Sequence, residues 1–330
     1  MIKKERFVWI DYAKFITIFL VVFFHTNPDL LSNNFLGKFL GLIRMPAFFL
    51  IAGYLFRVEK FESFISFVKH RSKQLLVPYV SFFIIFYILW LCIGRNIVGE
   101  SEIAISILLP IKEFIMGTPS IICAPYWFIT CLFSMQIIYY LVNRLCKKRK
   151  LIFFFCMVLS LSSYFINIDF WLISKAFNYL PFYAFSNLFK DYIKNIEFKV
   201  HYKYVILFLF LVITSLAIFK EIDNIMYVIL GLLILPFYIC CCKVLSKFGK
   251  NNIIEMIAKN GIIILALQNY VIGIIKILSN KILGYNILSV ELYYNVVVTI
   301  IVLLLLYYPI IFINKYIPFI IGKGNFFDKN

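Results

Sequence analysis

The chain has 330 residues, of which 63% are hydrophobic and only 15% are charged. Soluble domains average about 45–50% apolar and about 25% charged residues, so this composition excludes an ordinary soluble protein and predicts a single integral-membrane domain over residues 1–330. The net charge of +17 is scattered over several loops, which argues against nucleic-acid binding and agrees with attraction to anionic membrane lipids.

Apolar runs of about 20 residues recur along the chain, the length that a helix needs to cross about 30 Å of hydrocarbon. Pro181 interrupts the short sixth run, which is therefore predicted to be kinked or only partly spanning. The first run has no small-residue cleavage site and many spans follow it, so we expect no cleavable signal. The predicted fold class is an all-α membrane protein, a bundle of about ten helices at residues 7–26, 36–56, 75–94, 122–143, 151–168, 176–189, 205–219, 225–242, 260–278 and 292–313.

The distribution of Lys and Arg between these helices predicts their orientation. By the boundaries above, 24 of the 33 basic residues lie in the terminal segments and in alternate loops, whereas 8 lie in the opposite set. Cytoplasmic loops carry the excess of positive charge, so both termini are predicted to face the cytoplasm. We expect a multi-pass protein of the cell's inner or plasma membrane.

Three ionisable residues stand out in the first predicted helix. Lys14 and His25 are eleven positions apart, which places them on one stripe with an offset of about 20°. Asp11 falls about 40° to the other side of His25 and one turn before Lys14, where the two charges can pair. Such groups cost about 2.5–3.5 kcal/mol each at membrane depth and usually face the protein interior or a wet cavity. The stripe predicts a functional site, and the alternative is a buried ion pair with a packing histidine.

Further basic residues are candidates for contacting a ligand. Arg44 lies within the second apolar run, where it either assists substrate or donor binding or is a structural partner of Asp11 or of a carbonyl. Arg71 and Lys73 lie on the predicted cytoplasmic side, where clustered Arg and Lys suit the phosphates of a nucleotide. Topology alone explains the same two residues equally simply.

Aromatic and amide residues in later helices form a second group of candidates. Tyr126 and Trp127 occupy a position typical of an interfacial aromatic belt, and aromatic rings also stack on sugars. Gln268, a polar residue in the ninth helix, either contacts substrate or hydrogen-bonds a neighbouring helix. Gly53 predicts close helix packing. No spacing among the eight cysteines matches a zinc site or a disulfide framework, so neither is predicted.

Four motifs follow one another within residues 1–140: Asp11-Tyr-Ala-Lys14 with His25 eleven positions beyond Lys14, Met45-Pro-Ala-Phe-Phe-Leu-Ile-Ala-Gly53-Tyr-Leu-Phe, Arg71-Ser-Lys73-Gln-Leu-Leu-Val-Pro78-Tyr79, and Tyr126-Trp127-Phe128. In this order and spacing they resemble membrane acyltransferase family 3, and in particular its branch of bacterial surface-polysaccharide O-acetylases. Two departures stand beside them: Lys14 replaces the arginine of many members, and Gln268 occupies a position where relatives commonly have a histidine.

The resemblance implies an O-acyltransferase that takes acetyl from acetyl-CoA, with no metal, and passes it to a surface polysaccharide or a lipid-linked glycan. His25 is the expected general base for the acceptor hydroxyl, because histidine's reference pKa of about 6.5 suits that task; a covalent acyl-histidine is the alternative. Lys14 is expected to meet a phosphate or developing negative charge, while Asp11 fixes Lys14 or tunes His25. Arg71, Lys73 and Arg44 are expected at the donor, and Trp127, Tyr126 and Gln268 at the acceptor.

Two other classes of function remain open. A transporter or flippase for a glycan would also use intramembrane charges, although the sequence shows no repeated halves. A membrane glycosyltransferase would require an acidic metal-binding cluster, and Glu100, Glu102 and Glu113 are predicted to lie in a loop without ligand-like companions. The clustering of charge in the first two helices favours the acyltransferase.

Overall fold

The structure, a computed structural model, describes residues 7–94, 106–196, 198–218, 223–289 and 291–324, which are helical or irregular throughout. The chain divides into two compact units. Unit 1 comprises Met1–Phe56 and Pro181–Tyr308, and unit 2 comprises Arg57–Leu180 and Pro309–Asn330. The single domain over residues 1–330 stays a prediction.

Among the described residues, several helices are joined by single 3₁₀ or π-helical turns. In chain order they are α1 (Val8–Thr26), α2 (Pro28–Asn33), α3 (Phe35–Leu55), α4 (Phe64–Arg71), α5 (Val77–Leu89), α6 (Leu108–Met116), α7 (Trp127–Leu145), α8 (Arg149–Ser162), α9 (Ile173–Leu188), α10 (Lys190–Asn195), α11 (Phe198–Ile218), α12 (Asn224–Leu245), α13 (Asn252–Lys259), α14 (Gly261–Leu283), α15 (Leu292–Leu305) and α16 (Tyr307–Tyr316).

Seven helical stretches of the described chain are long and apolar enough to cross a membrane. The other three predicted spans are helices too, but α8 and α9 have only 14 and 16 residues, and the apolar part of α11 is Tyr202–Ile218. The all-helical membrane class is thus confirmed, whereas the count of about ten spans and the cytoplasmic termini stay predictions. The seven stretches are Val8–Thr26, Phe35–Leu55, Phe64–Gly94, Ala124–Leu145, Asn224–Phe248, Gly261–Leu283 and Leu292–Tyr316.

The third of these stretches corrects a predicted boundary. We expected a helix from residue 75, with the basic residues before it in a loop, but the helix begins at Phe64. The hydroxyl of Ser63 accepts a hydrogen bond from the Ser66 amide (3.1 Å) and caps the first turn. A π-helical turn, Ser72–Leu76, then joins α4 to α5. Arg71 and Lys73 therefore lie on the helix itself.

In unit 1, α1 is the central helix and contacts α3 and each of α12 to α15. Its antiparallel partner is α3, since the rings of Trp9 and Tyr54 pack edge to face at 5.2 Å. On another side, the buried hydroxyls of Thr17 and Tyr238 lie 2.8 Å apart, and both reach the carbonyl of Ala13. These buried polar contacts fix α1 against α12.

The predicted close packing at Gly53 is confirmed within unit 1. A Cβ atom on Gly53 would lie 2.2 Å from the Tyr183 carbonyl oxygen, so α3 and the second half of α9 meet at a distance that only glycine permits. The Asn187 amide donates to the carbonyls of Gly53 (2.9 Å) and Phe56 (2.7 Å), which satisfies the C-terminal end of α3.

In unit 2, hydrogen bonds hold a strained turn at Trp171 and Leu172. Trp171 and Leu172 both adopt positive φ angles (49° and 53°), a conformation that non-glycine residues rarely adopt. The Ser134 hydroxyl donates to the Trp171 carbonyl (2.8 Å), and the Trp171 indole donates to the Ile115 carbonyl (3.2 Å). Surrounding hydrogen bonds thus hold the turn in place.

Candidate active site

The predicted stripe of ionisable residues lies on the central helix of unit 1. α1 is unbroken from Val8 to Thr26, so Lys14 and His25 keep the shared face that their spacing predicts. Asp11, Lys14 and His25 are all half-buried. His25 lies about 16 Å along the helix axis from Lys14. Lys14 and His25 therefore form two separate polar positions along α1. An extended ligand is long enough to contact both, whereas a compact ligand is not.

His25 occupies the last turn of α1, at a corner that polar contacts fix. Its ring packs edge to face on Phe24 at 5.6 Å. Two residues later, the Asn27 amide donates to the Leu288 carbonyl (2.7 Å), and its oxygen accepts from the Leu30 amide (3.1 Å). Asn27 thus ends α1, starts α2 and ties both to the turn before α15. The contacts of Asn27 fix the end of α1, and the His25 ring packs on Phe24 at this end.

Arg44 lies at the His25 end of α1. Its guanidinium carbon is 3.6 Å from the centroid of the Phe24 ring, a close cation–π contact. Because α3 is antiparallel to α1, the middle of α3 meets the last turns of α1. Phe24 is about 20 Å along the helix axis from Asp11, which argues against the alternative that Arg44 pairs with Asp11. The structure thus brings a permanent cation close to His25, an association that the sequence did not reveal.

Two buried amides occupy helices that contact α1. Gln268 on α14 and Asn295 on α15 are both 0% exposed. Neither side-chain amide has a hydrogen-bond partner, at either its oxygen or its nitrogen, among the residues that the structure describes. Leaving such a group unsatisfied costs about 1–3 kcal/mol, so both are candidates for contact with a bound molecule.

Gln268 was singled out from the sequence and Asn295 was not. The hydrogen bond from Gln268 to a neighbouring helix, expected as the alternative, is not seen within the described residues. Asn295 follows Tyr293 and Tyr294 near the start of an apolar helix, so it resembles an ordinary interfacial polar residue. The available signal was an amide at membrane depth, which rarely lacks a partner or a role.

The two aromatic candidates in unit 2 differ in accessibility. Tyr126 is fully buried and lies 6.1 Å from the rings of both Tyr79 and Phe82. Trp127 is only half-buried. The ammonium of Lys175 lies 4.3 Å from its ring centroid, and the Tyr179 ring stacks beside it at 6.4 Å. Trp127 is thus the better placed of the two to meet a sugar, and the sequence did not reveal Lys175 or Tyr179 as its neighbours.

Arg71 and Lys73, the basic pair in unit 2, have different surroundings. The guanidinium of Arg71 donates to the Gln74 side-chain oxygen (2.8 Å) and lies 5.8 Å from the Phe61 ring centroid. Lys73 instead lines a groove together with Lys69 and His70. The predicted contact of both residues with donor phosphates stays a prediction.

The acidic residues considered for a metal site have other surroundings. Glu113 lies on α6, not in a loop as predicted, and accepts hydrogen bonds from the Ser120 amide (2.9 Å) and hydroxyl (2.6 Å). Glu100 and Glu102 lie outside the described residues. Over the described chain, no group of three or more His, Cys, Asp and Glu side chains is placed to hold a metal ion.

Comparison with known proteins identifies the family to which the chain belongs. No curated protein and no solved structure matches the chain. A family model described as an acyltransferase domain, that of acyltransferase family 3, matches residues 7–313. The match covers nearly the whole chain, including α1 with Lys14 and His25, Arg44 on α3, and both buried amides. The protein belongs to acyltransferase family 3.

Proposed function

We propose that this membrane acyltransferase transfers acetyl from acetyl-CoA to a hydroxyl of a cell-surface or lipid-linked polysaccharide sugar, with His25 as the general base. The observation that carries the proposal is the placement of His25, half-buried at the fixed end of the central helix, with Arg44 stacked on the adjacent Phe24 ring. Acyl transfer to a hydroxyl is accelerated by a base that takes the hydroxyl proton and by a cation that stabilises the negative charge on the carbonyl oxygen.

The chemistry proceeds by direct transfer. The neutral imidazole of His25 takes the proton of the acceptor hydroxyl as that oxygen attacks the thioester carbonyl carbon. Arg44, whose guanidinium keeps its proton, stabilises the negative charge that develops on the carbonyl oxygen. The C–S bond then breaks, the imidazolium returns its proton to the departing thiolate, and the products are the acetyl ester and free CoA.

The second polar position suits the remainder of the donor. In acetyl-CoA the phosphates are far from the thioester. Lys14 is likewise separated from His25, by about 16 Å along the helix axis. Lys14 would contact this anionic part or the arm that leads to it, and Asp11 would hold Lys14. Within unit 2, Arg71 is a separately proposed contact for a donor phosphate, and Trp127 is a separately proposed stacking surface for the acceptor sugar.

The test is transfer of label from radioactive acetyl-CoA to purified glycan acceptors by the protein in proteoliposomes. The proposal expects base-labile label on the glycan. Label carried by the protein after incubation with donor alone, and released on adding acceptor, would instead support the acyl-histidine route. Absence of glycan labelling across acceptors isolated from the native cell, with folded protein and intact donor, would contradict the proposed substrate class.

A further inference from the structure

A groove of about 640 Å³ runs along one side of the long helical stretch Phe64–Gly94 in unit 2. One end is polar and is lined by Ser66, Lys69, His70, Ser72 and Lys73. The other end is lined by Leu76, Val77 and Val80 together with Ser81. No Asp or Glu is among the described residues that line the groove. The groove is therefore amphiphilic and basic.

The apolar end continues onto a surface that faces away from the protein. Val77, Val80, Ile84 and Ile88 recur at three- and four-residue spacing and so share one face of α5. Val80, Ile84 and Ile88 are 40%, 50% and 53% exposed. In a membrane-spanning helix, exposed aliphatic residues of this kind contact hydrocarbon. The groove thus leads from a basic end directly onto the lipid-facing side of the helix.

The backbone between the two ends is irregular and tightly supported. The π-helical turn Ser72–Leu76 lies where the polar lining gives way to the apolar lining, and such turns are frequent at functional sites. Gly322, with φ of 69°, approaches so closely that a Cβ atom there would lie 2.1 Å from the Lys73 carbonyl oxygen. The chain after α16 therefore packs closely against the helix backbone at Lys73.

We propose that this groove binds an anionic phospholipid. Its phosphate lies between Lys69 and Lys73 and accepts hydrogen bonds from their ammonium groups and from the Ser66 and Ser72 hydroxyls. One acyl chain follows Val77, Val80 and Ile84 toward the membrane interior. The basic end lies on the side predicted to be cytoplasmic, where anionic lipids attract Lys and Arg.

The apolar end distinguishes this ligand from the acyl donor. Acetyl-CoA also offers phosphates to Lys73, but it has no hydrocarbon chain to occupy the aliphatic half of the groove or its extension along α5. A phospholipid fills both halves. Both molecules carry phosphate esters, so the experiment must distinguish binding of a phospholipid from binding of acetyl-CoA.

The experiment measures binding of dioleoyl phosphatidylglycerol to the purified full chain in a non-ionic detergent, by native mass spectrometry and by the lipid-induced rise in melting temperature. Phosphatidylcholine is the neutral comparison lipid. Lys69→Gln/Lys73→Gln is expected to weaken phosphatidylglycerol binding about tenfold. Lys147→Gln/Lys148→Gln is the matched control, because it removes the same charge from exposed residues outside the groove; its binding should stay within about twofold of the wild type.

A second variant and a competition complete the test. Val80→Phe fills the apolar end without changing charge and is expected to reduce binding several-fold, so the proposal stays testable if the double variant fails to fold. Excess CoA should leave phosphatidylglycerol bound. Equal weakening by both lysine pairs, binding of both lipids alike, or displacement by CoA would overturn the proposal. Displacement would assign the groove to the donor and leave the proposed acetyl transfer intact.

Discussion

Replacing Asn295 with leucine tests whether its buried side-chain amide contacts a substrate or only lowers the stability of the protein. The side chain is fully buried on α15, and neither amide atom has a hydrogen-bond partner in the described part of the chain. Leucine has the same number of side-chain heavy atoms in the same branched arrangement, with two methyl groups in place of the amide oxygen and nitrogen. If the amide only fills space, its removal relieves the cost of an unsatisfied buried group, about 1–3 kcal/mol, and the protein becomes more stable.

If Asn295 belongs to the proposed site, the substitution should also lower the rate of acetyl transfer. If the amide hydrogen-bonds the bound donor or acceptor, its loss should reduce kcat/KM about tenfold, which corresponds to about 1.4 kcal/mol of transition-state stabilisation. We therefore expect Asn295→Leu to melt at or above the wild-type temperature while transferring acetyl more slowly. Thermal unfolding in detergent and initial rates with labelled acetyl-CoA measure the two quantities on the same preparation.

Thr299→Val is the matched control, because Thr299 is equally buried one turn further along α15 and its hydroxyl donates to the Asn295 carbonyl (2.7 Å). That hydroxyl is satisfied within its own helix, so its loss should leave kcat/KM within about twofold. Wild-type activity in a stabilised Asn295→Leu would refute the functional reading. A destabilised Asn295→Leu would show that the amide has a partner and that the reasoning from burial is wrong.

Three further substitutions test other parts of the account. Arg44→Gln should lower kcat about hundredfold and stability by only about 1–2 kcal/mol, with partial rescue by Arg44→Lys, as measured by transfer rates and melting. Gly53→Ala places a methyl group against the Tyr183 carbonyl and should cost about 1–3 kcal/mol in thermal unfolding. Gly273→Ala, where the added Cβ would meet no atom within 4 Å, should cost no stability through packing. Trp127→Leu should raise the KM for the glycan several-fold and leave the KM for acetyl-CoA unchanged, as initial rates against each substrate would show.

The sequence predicts the membrane helices well where apolarity and length agree. The runs that became α1, α3, α7, α12 and α14 are long, contain few charges and end near the predicted residues. α4 was missed because Lys69, His70 and Arg71 make its residues too polar for a hydropathy argument. Its helical start depends instead on the Ser63 cap, a local signal that hydropathy does not include.

The candidate site was predictable only along a single helix. Helical spacing places Lys14 and His25 on one face of α1 without any knowledge of the fold. The position of Arg44 against Phe24 depends on the antiparallel packing of α3 on α1, which no local pattern encodes. Lys175 and Trp127 are likewise far apart in sequence and meet only in the folded unit 2.

If His25 removes the proton from the acceptor hydroxyl, the transfer rate of His25→Ala in proteoliposomes will show it. We expect kcat to fall about 10²–10⁴-fold, with an unchanged melting temperature and unchanged binding of CoA. A folded His25→Ala protein that acetylates glycan at close to the wild-type rate would contradict it.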